Sequence, residues 1–168
     1  MVVDLDATLQ EAHSDKGGAA ANFKGGFGYH SVLCWLDNTG EALAGRLRPG
    51  NAGANTAADH ITVLDDALAQ IPDAHRHGVP ILVRADGAGC SKEFLAHIRS
   101  LRDRGVQAEF SVGFTMTEPV KAAIDALPTW AWLPAIEADG DPRDGAEVAE
   151  LTGFLPGLAA AGGRMGCG

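Results

Sequence analysis

Two stretches, Val2-Val3-Asp4-Leu5-Asp6-Ala7-Thr8 and Ile81-Leu82-Val83-Arg84-Ala85-Asp86, decide how this chain folds. Each is an apolar run of strand type that ends in a carboxylate. Side chains alternate across a strand, so Asp4 and Asp6 share one face while Val3 and Leu5 take the other. Asp86 arrives as its run breaks into Gly87-Ala88-Gly89, where a strand edge opens to solvent. If the two strands are neighbours in one sheet, Asp6 and Asp86 meet at one end of it. Paired carboxylates there have the donor chemistry for a hard divalent cation.

The chain between them supplies the rest of a sheet. Glu11 to Gly28 is a polar, glycine-rich loop carrying His13, Lys16 and Lys24. Tyr29–Leu36 and Glu41–Arg48 read as strands, and the turn signal Asp37-Asn38-Thr39-Gly40 between them is short enough to force an antiparallel pair. Ala57, Ile61, Leu64, Leu68 and Ile71 recur at helical steps. Thr56 is placed to cap that helix, Asp59 favours its positive end, and Pro72 stops it. Residues 73–79, with His75-Arg76-His77, form a polar connection to the strand at 80–86.

Ser91 then caps a second helix with Phe94, Leu95, Ile98 and Leu101 on one face and Gly105 as its stop. Val106–Gly113 alternates as a strand. Thr117 and Pro119 open a third helix, which runs through Leu127 to Pro128. Beyond it, Trp130–Ile136 reads as a strand with both tryptophans packed in a core. Asp139–Gly145 reads as a charged turn, 146–152 as a short helix, and 156–168 as an irregular Gly/Ala-rich tail. The order β-β-β-α-β-α-β-α predicts an α/β protein with a ribonuclease H-like mixed sheet, three antiparallel strands followed by α-β-α-β. In that layout the strands carrying Asp6 and Asp86 lie side by side.

Composition narrows the functional classes. The 168 residues suffice for one domain with a real core, and 46% of them are apolar. A net charge of −9 is the opposite of what bulk electrostatic binding of nucleic acid requires. Cys34, Cys90 and Cys167 form no C-x-x-C pair, so neither a disulfide scaffold nor a zinc site is expected. His75 and His77 have no ligand partners nearby, which again argues against zinc. No signal peptide and no run of membrane-spanning length is read, and a cytoplasmic location is expected.

The opening Val-Val-Asp-Leu-Asp-Ala-Thr also fits the D-x-D-x-T start of the haloacid-dehalogenase-like phosphatases. That fold needs a doubly wound parallel sheet, hence a helix after the first strand; a hairpin follows here instead. Phe23-Lys24-Gly25-Gly26-Phe27-Gly28-Tyr29-His30 lacks the spacing of a phosphate loop and leads into a strand, not a helix. Lys24 in that loop, and Arg46 with Arg48 on one strand face, are the basic candidates for touching a phosphate backbone.

With these residues assembled, the chain resembles the DDE transposases of bacterial insertion sequences, specifically the group 1 transposase domain. The resemblance is carried by Val2–Thr8, His13-Ser14-Asp15-Lys16, Lys24–His30, Leu36-Asp37-Asn38-Thr39-Gly40-Glu41-Ala42-Leu43, Arg48-Pro49-Gly50-Asn51 and Val83-Arg84-Ala85-Asp86. It implies a ribonuclease H-like catalytic domain over 1–155, with three acidic residues binding two Mg2+ (or Mn2+) ions for DNA cleavage and strand transfer. Asp6 corresponds to the first acid, ahead of Asp4, and Asp86 to the second. DNA at transposon ends is the implied partner, together with another copy of the chain or a full-length transposase.

The family's third acid is a glutamate on a helix after the fifth strand, in a basic context, and Glu109, Glu147 and Glu150 do not sit in such a context. A truncated fragment, with weak metal binding and no transposition of its own, is therefore the expectation. A non-catalytic remnant that pairs with full-length transposase is its alternative.

Overall fold

A computed structural model describes residues 1–54, 56–151, 154 and 166–167. In chain order the elements are β1 (Val2–Glu11), β2 (Ala20–Ala21), β3 (Phe27–Leu36), β4 (Glu41–Arg46), α1 (Ala57–Gln70), α2 (Asp73–Arg76), β5 (Ile81–Ala85), α3 (Lys92–Ser100), β6 (Ala108–Val112), α4 (Glu118–Asp125), β7 (Leu133–Ile136), β8 (Pro142–Glu150) and β9 (Gly166–Cys167). They divide into two compact units, Met1–Phe114 and Thr115–Gly168.

The first unit is a mixed sheet ordered β2-β3-β1-β5-β6, with β4 also paired to β3. β1 lies inside it, antiparallel to β3 and parallel to β5. The Asp37–Gly40 turn closes the β3–β4 hairpin through Thr39 and Gly40 N–H groups donating to the Leu36 carbonyl at 3.2 and 2.8 Å. It is also tied to β1, because the Val2 N–H donates to Asn38 Oδ1 at 2.8 Å. This strand arrangement is not the doubly wound parallel sheet that the phosphatase alternative needs.

One face of the sheet is covered by α1 and α3. Val3 and Leu5 of β1, Val32 and Cys34 of β3, and Ile81 and Val83 of β5 form the core with Leu64, Phe94 and Ile98 from the helices. The buried stripe of α1 is His60, Val63, Leu64, Ala67 and Leu68, turned slightly from the one that Ala57 and Ile61 suggested. Ser91 caps α3, its Oγ accepting from Phe94 N–H at 3.2 Å, whereas Thr56 makes no side-chain cap bond at α1. Gly105 follows Leu101–Arg104 at φ 77°, the left-handed stop expected of it. The connection after Pro72 is not plain loop, since 73–76 wind into α2.

The second unit departs further from the sequence reading. It contains α4 and a three-stranded antiparallel sheet ordered β7-β8-β9. Of the short helix expected over 146–152, residues 146–150 are instead the end of β8 and 152 lies outside the described residues, while the charged turn is confined to the residues before Pro142. Ala149 and Leu151 are both buried, two positions apart. Within β8 the one buried side chain is Ala149, too small to have signalled a strand. Trp130 is not core: it lies in a single turn at 129–131 and is 80% exposed. The catalytic domain expected to run to 155 thus spans a complete unit and most of a second. The tail expected at 156–168 lies outside the described residues except for 166 and 167, which pair as β9. Among the described residues no helix is long and apolar enough to cross a membrane.

Candidate functional site

The parallel pairing of β1 with β5 runs Val2↔Leu82, Val3↔Val83, Asp4↔Arg84 and Leu5↔Ala85. The next residues on the two strands are Asp6 and Asp86. Neighbouring strands lie about 4.8 Å apart, so the two aspartates occupy adjacent positions at the end of the parallel pair. Val3, Leu5 and Val83 point into the core; Asp6, one step out of phase with them, shares the opposite face with Asp4 and is exposed. β5 ends at Ala85, and Asp86 is exposed where the chain turns into the helical turn Gly87–Gly89. Its Oδ1 accepts from Ala88 N–H at 2.8 Å, which orients the carboxylate and leaves acceptor capacity on it.

Asp4 has a different occupation. Arg84 donates to it through both arms of the guanidinium, Nε to Oδ1 and Nη2 to Oδ2, each at 2.6 Å. Asp37 stands on the other side of the same Nη2 at 3.2 Å. The Asp4 hydrogen bond is the main reason that the Arg84 guanidinium is held above its ordinary pKa. Both Asp4 oxygens are thus engaged by a cation, which makes Asp4 a poor metal ligand beside Asp6. The sequence reading missed Arg84 in this role, although alternation places it on the Asp4 face once the register is known.

Among the described residues no group of three His, Cys, Asp or Glu side chains is brought together to hold a metal. Glu109 pairs in register with Leu82 of β5, so it belongs to the end of the strand away from Asp86. Glu147 and Glu150 lie on β8, in the second unit. Asp6 and Asp86 fit Mg2+ or Mn2+ as two hard oxygen donors, a set that leaves most of the coordination sphere to water and substrate oxygens.

The three basic candidates separate. Lys24 is exposed at the tip of the β2–β3 hairpin. Arg46, at the end of β4, is half-exposed at 52% and lies 3.4 Å from Asp59. Arg48 is turned inward and only 3% exposed, so the phosphate contact expected of it is not available to a ligand outside. Its Nε donates to the His30 carbonyl at 2.8 Å, and its Nη1 donates to the Gly53 carbonyl at 2.9 Å and to Asp59 at 3.1 Å. His30, given no role from sequence, is buried in this same network, with Nδ1 2.8 Å from the Ala52 carbonyl.

No curated protein matches the chain. Residues 1–150 match the family described as transposase DDE domain group 1. That span takes in Asp6, Asp86 and every strand and helix of the first unit, and on it the chain belongs to the group 1 transposase DDE domain family.

Proposed function

We propose that the first unit is a ribonuclease H-like core for metal-dependent phosphoryl transfer on DNA, with Asp6 and Asp86 as two of its ligands. The supporting observation is the register: Leu5↔Ala85 is the last pair of β1 and β5, and the two exposed carboxylates follow it directly. The strand order, three antiparallel strands joined to two parallel ones with a helix in each crossover, supports that reading. A bound Mg2+ or Mn2+ supplies Lewis-acid polarisation of phosphoryl oxygens. The protein's own part is to present Asp6 from a strand paired on both sides, to hold Asp86 through Ala88 N–H, and to keep Asp4 neutralised by Arg84. Lys24 and Arg46 are the exposed cations offered to DNA phosphates, transposon ends being the DNA in question.

A second reading has its own observation. No third carboxylate joins Asp6 and Asp86 among the described residues, which favours a non-catalytic module that pairs with itself or with a complete transposase. Mn2+ titration of the full chain tests the site under either reading. Asp6→Asn and Asp86→Asn should each lower Mn2+ affinity at least tenfold, while Asp4→Asn should change it by less than threefold. Equal affinity in all four proteins would remove Asp6 and Asp86 from the site. Nicking of supercoiled DNA by the wild type with Mn2+, absent from Asp6→Asn, selects the catalytic reading over the interaction module.

A further inference from the structure

Phe23 is exposed to 70% of its surface at the tip of the β2–β3 hairpin, a large apolar cost for a chain with few aromatics. The tip is not loose. Asn22 Oδ1 accepts from the N–H groups of Lys24 and Gly26, both at 2.9 Å, and Asn22 N–H donates to the Gly26 carbonyl at 2.8 Å. Beneath the ring lies His30, 2% exposed, with its centroid 5.7 Å from that of Phe23. His30 is in turn fixed by Ala52 and Arg48, and Arg48 by Asp59. The 49–53 loop buttresses the hairpin from the side, with Gly50 N–H donating to the Gly28 carbonyl at 3.0 Å. A rigid, buried polar network therefore holds one phenylalanine out in water. Lys24 Nζ sits 5.9 Å from the ring centroid, at the outer limit of attraction by an aromatic face, so a phosphate can draw it away.

An exposed aromatic with a cation at its edge matches the repeating unit of a nucleic-acid strand, one flat base and one phosphate. His30 pairs with Leu9, three residues beyond Asp6 on β1, about 10 Å along at strand rise; it is in phase with Val32 and Cys34, so its ring faces the helix side of the sheet and Asp6 the other. Both positions belong to the end of the sheet where β5 gives out.

We infer that Phe23 is a stacking platform for one unpaired DNA base, with Lys24 taking the phosphate beside it. The inference rests on the DNA-transposase reading, which supplies the strand, and it adds a contact made by shape and not by charge. That answers how a chain of net charge −9 grips DNA at all.

The test uses the full chain at low salt, without metal, and a single-stranded oligonucleotide carrying the fluorescent adenine analogue 2-aminopurine. Wild type should quench the probe. Phe23→Ala should lose the quenching and bind about 5- to 150-fold more weakly, and Phe23→Trp should restore both. Circular dichroism and unfolding midpoint confirm that each variant is folded; Phe23 is exposed, so little change is expected. A folded Phe23→Ala that binds and quenches as wild type does, or a wild type that leaves the probe unchanged, overturns the platform. Mn2+ titration of the same samples separates the two ideas. Metal binding without quenching sinks the platform and leaves the metal site standing; quenching without metal binding does the reverse.

Discussion

Arg84 stands between two carboxylates on the open face of the sheet, and its chemistry is local. The Asp4 pair is bidentate, but Arg84 is half-exposed, so solvent screens much of the attraction. Arg84→Ala should therefore cost only about 1 kcal/mol in urea unfolding, and the swapped pair Asp4→Arg with Arg84→Asp should recover part of it. Cys34 is a second local case. Burial first, and the Asp4 charge second, push its thiol up to about 12 from 9.0. A folded value above the unfolded one means that the stability is intact below pH 9 and drains away as pH climbs towards 12. Cys34→Val should lose less stability than wild type between pH 8 and about 11, measured by urea midpoints at the two ends.

At this scale the sequence reads well where alternation governs and poorly where the chain leaves a strand. Asp4 and Asp6 sit on the face that period two assigns them. Arg48 does not follow Arg46, because β4 stops at Arg46 and the backbone swings Arg48 in towards Asp59 of α1, a partner no local pattern announces.

Among the elements, the hairpin and the 49–53 loop depend on one close approach. A Cβ on Gly50 would lie 2.3 Å from the Ala20 carbonyl oxygen and 2.9 Å from that of Gly28, both backbone atoms that cannot step aside. Gly50→Ala should cost about 1–3 kcal/mol, the usual penalty for forcing atoms into a packed site. It should also weaken binding of the 2-aminopurine strand by loosening the support of Phe23. Thermal melting and the fluorescence titration read the two effects separately. Helices α1 and α3 are legible because large apolar residues mark their buried stripes, whereas α2 buries none; the β3–β4 hairpin is legible because Asp37-Asn38-Thr39-Gly40 allows little else. β8 is not legible: its inward side chains include Ala149, while Val148 on the outward side is 39% exposed, so large residues point to the wrong period.

For the whole molecule, the acidic balance sets the terms on which DNA would be met under the proposed function. Only Lys24 and Arg46 are offered as phosphate contacts, and each phosphate neutralised on a single strand contributes about −0.7 to the slope of log affinity against log salt. The slope should be about −1.4, far shallower than that of a basic DNA-binding protein, and Lys24→Ala should halve it. A steep slope in a salt titration would mean a cationic surface not identified in the first unit. The adjacency of β1 and β5 is foreseeable from the order of elements along the chain, whose expected layout puts those two strands side by side. The division at Phe114 is not, because no glycine- or proline-rich linker marks it.

The unequal footing of the two proposed ligands has a kinetic corollary. Asp6 rides on a ten-residue strand with partners on both flanks. Asp86 sits at the first step of a turn kept in shape by two backbone bonds, from Gly89 to Asp86 and from Cys90 to Gly87. One donor is fixed by the sheet and the other by a turn, so an ion held as proposed would be let go by a shift of residues 86–90 without any strand parting from its neighbour.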